Sequence, residues 1–332
     1  LTYNIASVTN GENAVAVLGQ PNFTTGTSAT TQAGMNAPRA VTLNTPGTTL
    51  FVADTGNYRV LVHDVSLATN GQNASYVLGQ ANFTTGGLLG NTDYSTPSPS
   101  GLAYDPTLKQ LFVSSALGSH RIAVFNVATL SNNNPYIASL AGQPTRVSPG
   151  VGSTAQDRLN APRGIVWDSA NRLLYVADSS NNRMMVLKEQ IGVELSASAA
   201  TSTNESIANN FFTVRVHGLV TATSTVEVAV SGGTASSGGV DYTFASPQTV
   251  TIVPGAYDGT TSTALTVTAP TLVDDLLVEG TETIGFSLQN LVGPLMSVAD
   301  LDLNGTAQGT ATYRIADDDT VKLVEFSSST AS

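Results

Sequence analysis

The segment VLGQPNF at 17–23 returns as VLGQANF at 77–83 and, loosened, as LAGQPTR at 140–146. Gly19 and Gly79 stand 60 residues apart, and Gly79 and Gly142 stand 63 apart. Each return brings the same sequels in the same order. NAPRAVTL at 36–43 answers to PSGLAYD at 99–105 and NAPRGIVWD at 160–168. LFVADTGNYRVLVHD at 50–64 answers to LFVSSALGSHRIAVFN at 111–126 and LYVADSSNNRMMVLK at 174–188. A period of this length requires an array of units, each burying its apolar faces against its neighbours. Within a unit the apolar, β-branched runs are short and divided by Gly, Pro, Asn and Asp, which predicts about four consecutive antiparallel strands.

Composition narrows the chemistry. Only 11% of the 332 residues are charged and none is Cys, so disulfide stapling and thiol chemistry are excluded. The abundance of Ser, Thr, Asn and Gly suits exposed β-sheet with many turns. No run of about 18 apolar residues is present that would span a membrane as a helix. The charge is uneven: residues 1–190 hold nine acids and ten bases, whereas residues 191–320 hold fourteen acids and two bases. The net charge of −11 therefore resides in the second part. So acidic a segment, beside a first part without a basic stripe, argues against nucleic acid and toward cations.

A four-stranded unit with a Pro-Gly entry and a VAD-turn-N-x-R exit resembles an NHL-type β-propeller blade, over about residues 1–190. Asp54, Asn57 and Arg59 match that family's turn, as do Asp178, Asn181 and Arg183; the second unit departs, with Ser115 for the Asp and an extra residue before Arg121. These sets are read as turn locks rather than ligand contacts, a short acceptor capping backbone N–H groups beside a packed Arg. Three units do not close a ring, since a propeller takes about four to eight blades. The third unit lacks a fourth strand, and residues 1–20 read as the end of a preceding blade.

From Val193 the pattern changes to strands of alternating polarity, at 211–218, 225–230, 249–254 and 263–270, the signature of an antiparallel sandwich. Here the chain resembles a Calx-β domain over about 191–320, on Asn204-Glu205-Ser206, Gly239-Val240-Asp241-Tyr242, Asp274-Asp275 with Glu279-Gly280 and Glu282, and Asp317-Asp318-Asp319. The fold class expected is thus all-β, a partial NHL-type β-propeller of about three blades followed by an antiparallel, immunoglobulin-like Calx-β sandwich. The resemblance implies metal ligands at Glu205, Asp241, Asp274, Asp275, Glu279, Asp317, Asp318 and Asp319, with Ca²⁺ as the ion. Glu282 falls within a strand and is a weaker candidate. Independently of any family, three successive carboxylates and two more gathered at one end of a small sandwich would repel one another, and Ca²⁺ with its 6–8 oxygen ligands relieves that repulsion.

The chain ends as it begins. VEFSSSTAS at 324–332 matches VELSASAATS at 193–202, so residues 321–332 read as a linker or the start of a further repeat. Two arrangements satisfy both ends: a piece of a longer array, or terminal strands that complete a neighbouring copy and so build a homo-oligomer or polymer. An enzyme is not expected. His63, His120 and His217 occupy non-equivalent positions, and no nucleophile, zinc or phosphate-loop motif stands in its required context. Trp167 reads as packing. Five N-x-S/T sequons, at Asn22, Asn73, Asn82, Asn204 and Asn304, permit glycosylation. The expectation is an extracellular or cell-surface structural and interaction protein, the alternative being the recognition part of a larger secreted enzyme or adhesin.

Overall fold

In the computed structural model, which describes residues 13–319 apart from Asn91, Asp93, Thr129, Asn134, Tyr136, 144–151, Ser198, Thr203, 206–207, 209–210, 261–262 and 302–305, each repeat folds as one antiparallel sheet. The first blade takes β1 (Pro38–Leu43), β2 (Thr49–Asp54), β3 (Arg59–Asp64) and β4 (Tyr76–Leu78) in that spatial order. The second takes β5 (Pro99–Asp105), β6 (Gln110–Ser115), β7 (Arg121–Asn126) and β8 (Ser139–Ala141). The third has β9 (Pro162–Asp168), β10 (Leu173–Asp178) and β11 (Arg183–Lys188), with no fourth strand among the described residues. Because side chains alternate across a strand, β7 sends Ala123 and Phe125 into a core shared with Phe51 and Val62 of blade one, and Ile122 and Val124 into another shared with Ile165 and Val176 of blade three. Blade two is thereby glued on both faces, which is why its runs are apolar throughout rather than alternating.

The turn between second and third strands is locked as its sequence implies. Asp54 is fully buried and accepts from the Asn36 backbone N–H at 2.6 Å, Asn57 Nδ2 at 2.9 Å and Arg59 Nε at 2.7 Å. The equally buried Arg59 also donates to the carbonyls of Thr31, Gly34 and Phe83. Asp178, Asn181 and Arg183 repeat the arrangement. In blade two Ser115 removes the carboxylate, yet Arg121 still donates to the carbonyls of Thr92 and Ser95. A guanidinium with five donors can hold the preceding loop through carbonyls alone.

Units are also tied in series. The Val17 N–H donates to Asn70 Oδ1 at 3.0 Å, and the Val77 N–H to Asn133 Oδ1 at 3.1 Å, so a side chain of each following unit caps the outer strand of the one before. Two residues on, Gly79 turns at φ +87° with its Cα pressed on Thr96, where a Cβ would lie 2.2 Å from the hydroxyl. The segment 13–20, expected as the fourth strand of a preceding blade, carries isolated bridge positions at Ala16 and Gly19, the latter paired in parallel with Gly34, and no strand. A ladder needs a neighbouring third strand, and none stands beside it among the described residues; residues 1–12 lie outside them.

Contacts divide the chain into Leu1–Glu189 and Gln190–Ser332. The second unit is a sandwich. One sheet orders β18 (Gly255–Asp258), β14 (Thr213–Val220), β12 (Ile191–Leu195) and β22 (Met296–Val298), with β19 (Leu265–Thr266) also on β14. The other orders β13 (Ala199–Thr201), β23 (Thr310–Ile315), β21 (Glu282–Val292), β15 (Ser224–Gly233) and β17 (Gln248–Ile252). A short pair, β16 (Tyr242–Thr243) with β20 (Thr271–Leu272), stands apart. Phe211 meets Phe286 and Tyr313 edge-on at 5.2 and 5.4 Å in the core between the sheets.

Pairing is antiparallel except at β12 with β22 and β13 with β23, which run parallel. The entering chain crosses from one sheet to the other between Leu195 and Ala199, so each half finds a different parallel partner. The expected strand at 263–270 shrinks to Leu265–Thr266. The match at 324–332 lies outside the described residues.

Candidate metal centre

The sandwich topology collects its acids at one end. Strand β13 lies parallel to β23, with Thr201 opposite Arg314, so the loops leaving both strands emerge together: one carries Glu205, the other Asp317, Asp318 and Asp319. Strand β21 starts at Glu282 opposite Ile315, at the same end, and the chain leading into it carries Asp274, Asp275 and Glu279. Tyr242 pairs with Leu272, which brings Asp241 to the same loops. Two further bonds fasten this end: the Ser202 N–H to the Arg314 carbonyl at 2.8 Å, and the Ala316 N–H to Ser202 Oγ at 3.0 Å.

Three sets of carboxylates can each hold a metal ion, their ligand oxygens lying within 4.8 Å of one another: Glu205, Asp274 and Asp318; Glu205, Asp275 and Asp319; and Asp241, Glu279 and Glu282. Glu205 belongs to two sets and is only 5% exposed. Burial, then the charges of Asp317, Glu279, Asp275 and Asp319, push its carboxyl up to about 7. Burial and neighbouring acids raise Glu279, Glu282 and Asp319 as well. Asp319 Oδ2 is buried and finds no hydrogen-bond partner among the described residues. An unpartnered buried carboxylate oxygen among like charges is costly unless a cation meets it.

Asp317 is the exception. Its Oδ2 accepts from the Gly280 and Glu279 N–H groups at 2.8 and 2.9 Å, and its Oδ1 from the Asp319 N–H at 2.8 Å; these bonds hold its carboxyl below the ordinary carboxylate range. It belongs to none of the three sets. Its role is to staple the 279–280 loop to the 317–319 loop, leaving Asp318 and Asp319 to face Glu205. Glu282 points the other way: lying at the first residue of β21, it still reaches the Asp241 set. The signal for it lay in the chain, since the first position of a strand sits at a sheet end, where the loops are.

No histidine enters these sets. His63 lies in β3 fully buried, with neither ring nitrogen engaged among the described residues, and burial followed by the Arg59 charge lowers it to about 4. His120 Nδ1 accepts from the Ala161 N–H at 2.8 Å. Neither is poised as a ligand or a base.

No family model matches the chain and no curated protein does. Among solved structures the chain is similar to the apo-form Calx CBD1 domain, at 22% identity over 40% of this chain and 100% of that one, with TM-score 0.31. It is similar to CBD12 from CALX1.2 at 22% identity, over 39% of this chain and 44% of that one, with TM-score 0.28. It is similar to the β-propeller domain of Myceliophteria_thermophila Cps50 (Swd1) at 13% identity, over 46% and 54% of the two chains, with TM-score 0.22. Likenesses this distant carry no functional argument. Among the described residues no helix is long and apolar enough to cross a membrane.

Proposed function

We propose that this chain is a non-enzymatic structural and interaction protein of the cell surface or extracellular space, in which NHL-type blades precede a Calx-β-like sandwich stabilised by Ca²⁺. The observation that carries the reading is the acidic end: two ligand sets share the buried Glu205, and Asp319 turns a buried, unpartnered oxygen into the same place. The donor set selects the ion. All ligands are carboxylate oxygens, on loops or, for Glu282, at the first residue of a strand, with no His or Cys, which suits a hard cation tolerating six to eight ligands and disfavours Zn²⁺ or copper. Mg²⁺ prefers a tight octahedron rich in water, and a crowd of carboxylates this dense fits it less well.

An interaction role is supported by the blades' outer faces. Met184 and Val186 of blade three are 61% and 52% exposed, whereas their counterparts Val60 and Val62 in blade one are 0% and 2% exposed. At the opposite face Val41 is 63% exposed, against 7% for Leu102 at the same blade position. Apolar positions that every internal joint buries are thus open at both ends, and covering them with further blades, from a second copy or from another polypeptide, would remove that surface from water. The experiment is calorimetry of the purified chain with calcium or with chelator, alongside sedimentation velocity. Saturation at 100 times the dissociation constant should stabilise the sandwich by about 2.7 kcal/mol, and Asp318→Asn with Asp319→Asn should remove that gain. Identical melting in both conditions would dispose of the calcium reading; a concentration-independent monomer would dispose of the association.

A further inference from the structure

The joints between blades are built on one plan but closed differently. At the rim of each blade one carbonyl accepts from the strand-three exit: Thr48 from the Val65 N–H, Lys109 from the Val127 N–H and Arg172 from the Glu189 N–H. These bonds fix Lys109 as the counterpart of Arg172, and Val127 as that of Glu189. By position in the first strand, Asn44 corresponds to Asp105, and Tyr104 to Trp167.

Between blades two and three this set is charged and shut. Arg172 donates to both oxygens of the buried Asp105 at 2.9 and 2.8 Å and to Glu189 at 2.6 Å. Its guanidinium lies 4.7 Å from the centre of Trp167, which in turn packs on Phe112. Between blades one and two the same places hold Asn44, the exposed Lys109 and Val127, and no ion pair spans them among the described residues. A cavity of about 500 Å³ remains. Tyr104 lies against Phe51 at 6.0 Å along one wall, and Tyr76 lines the cavity with them. Val62, Val127 and Leu130 also line it, as do Thr49, Asp64 and Ser75.

These polar groups are uncommitted. Among the described residues no hydrogen bond engages the hydroxyls of Thr49, Ser75, Tyr76 or Tyr104, and Asp64 uses only Oδ1, on Ser66. The cavity therefore offers aromatic and aliphatic surface, four hydroxyls that donate or accept, and one carboxylate oxygen that accepts; no basic side chain lines it. Pockets of about 300–1,000 Å³ with an apolar lining and a few convergent polar groups are the usual form of a small-molecule site. A ligand suited to it has an apolar face for the rings and hydroxyls around its edge, and carries no negative charge.

We infer that the wedge between blades one and two is a binding site for a neutral saccharide, a pyranose or disaccharide, in the place that an internal Arg–Asp–Glu cluster fills in the next wedge. This goes beyond the cation reading and does not depend on it.

The test is saturation-transfer NMR on the full chain with methyl glycosides of glucose, galactose, mannose and N-acetylglucosamine and with maltose and cellobiose, beside tetramethylammonium and lysine methyl ester. The comparison variant carries Asn44→Asp, Lys109→Arg and Val127→Glu, which rebuilds the closed cluster. Transfer to at least one neutral sugar by the native chain, weakened tenfold or more in the variant, is expected. Absence of transfer to every sugar at millimolar concentration, transfer to the cations alone, or undiminished sugar binding in the closed variant would each overturn the inference. Should that variant not fold, Asp64→Asn with Ser75→Ala, both at exposed positions, takes its place under the same criteria.

Discussion

Replacing Glu205 with Gln should stabilise the sandwich without calcium and remove most of its response to calcium. In the cation-free protein the carboxyl stands at about 7 against an ordinary 4.5, because it is buried among acids. A carboxyl raised on folding stabilises the fold where both states are protonated, below about 4.5, and that contribution is lost as the pH climbs through about 7. At about 1.4 kcal/mol for each tenfold change in proton affinity, ionising Glu205 costs the native state on the order of 3 kcal/mol by pH 8. Glutamine keeps the shape and cannot ionise. In chelator at pH 8 the variant should therefore melt higher, by about 10 °C for a unit of this size, and the gain should vanish at pH 4.5. With calcium that advantage should shrink to under about 1 kcal/mol, since a ligand common to two sets is gone. A hundredfold loss of affinity would cut a linkage of about 2.7 kcal/mol to about 0.4 kcal/mol. Differential scanning calorimetry at pH 4.5 and 8, each with chelator and with calcium, reads all four states. If Glu205→Gln lowers the transition equally in chelator and in calcium, the reasoning from convergent carboxylates fails.

The blade unit should respond to acid in the opposite sense. His63, at about 4 in the fold against an ordinary 6.5, must be neutral to stay buried, so stability is full above pH 6.5 and falls by up to about 3 kcal/mol as the pH drops toward 4; His63→Phe should flatten that slope in urea titrations run between pH 4 and 7. Arg59→Met strands the buried carboxylate of Asp54 and should cost about 3–5 kcal/mol by urea denaturation, whereas Arg183→Met, at a side chain 28% exposed, should cost clearly less. Gly79→Ala, with its added Cβ driven into Thr96, should destabilise well beyond the about 1–2 kcal/mol of left-handed strain expected for Gly47→Ala, where φ is +92° and nothing stands within 4 Å; chemical denaturation of both variants measures the difference.

What the chain discloses before it folds depends on the range of the interaction. The blade turns are legible because Asp54, Asn57 and Arg59 act within six residues, and recurrence at Asp178, Asn181 and Arg183 marks them as built parts. The gathering of acids is legible for a related reason, since each member ends or begins a strand and strand ends share a sheet's rim. The division of labour within the gathering is not. Asp317 and Asp318 are adjacent and identical, and only the direction of the Glu279 and Gly280 N–H groups makes one a staple and leaves the other facing Glu205. The open wedge is equally hidden. Lys109 and Arg172 read as one conservative position, and Val127 and Glu189 as unremarkable exits, until the rim hydrogen bonds bring them into register. The strand expected at 13–20 fails for the same reason: apolar alternation states a capacity to pair, and pairing needs a neighbour that a local pattern does not supply.

The links from Val17 to Asn70 and from Val77 to Asn133 give the array a polarity. Each of these two links has a backbone donor on the earlier unit and a side-chain acceptor on the later one, so the first blade cannot be inverted without losing both. A unit gained by duplication brings its own donor and its own acceptor for this link, and only the side chains that close the rim of each wedge need then be matched. Length thus becomes a quantity that recombination can vary in whole steps, while a substitution in one joint is felt there and hardly elsewhere.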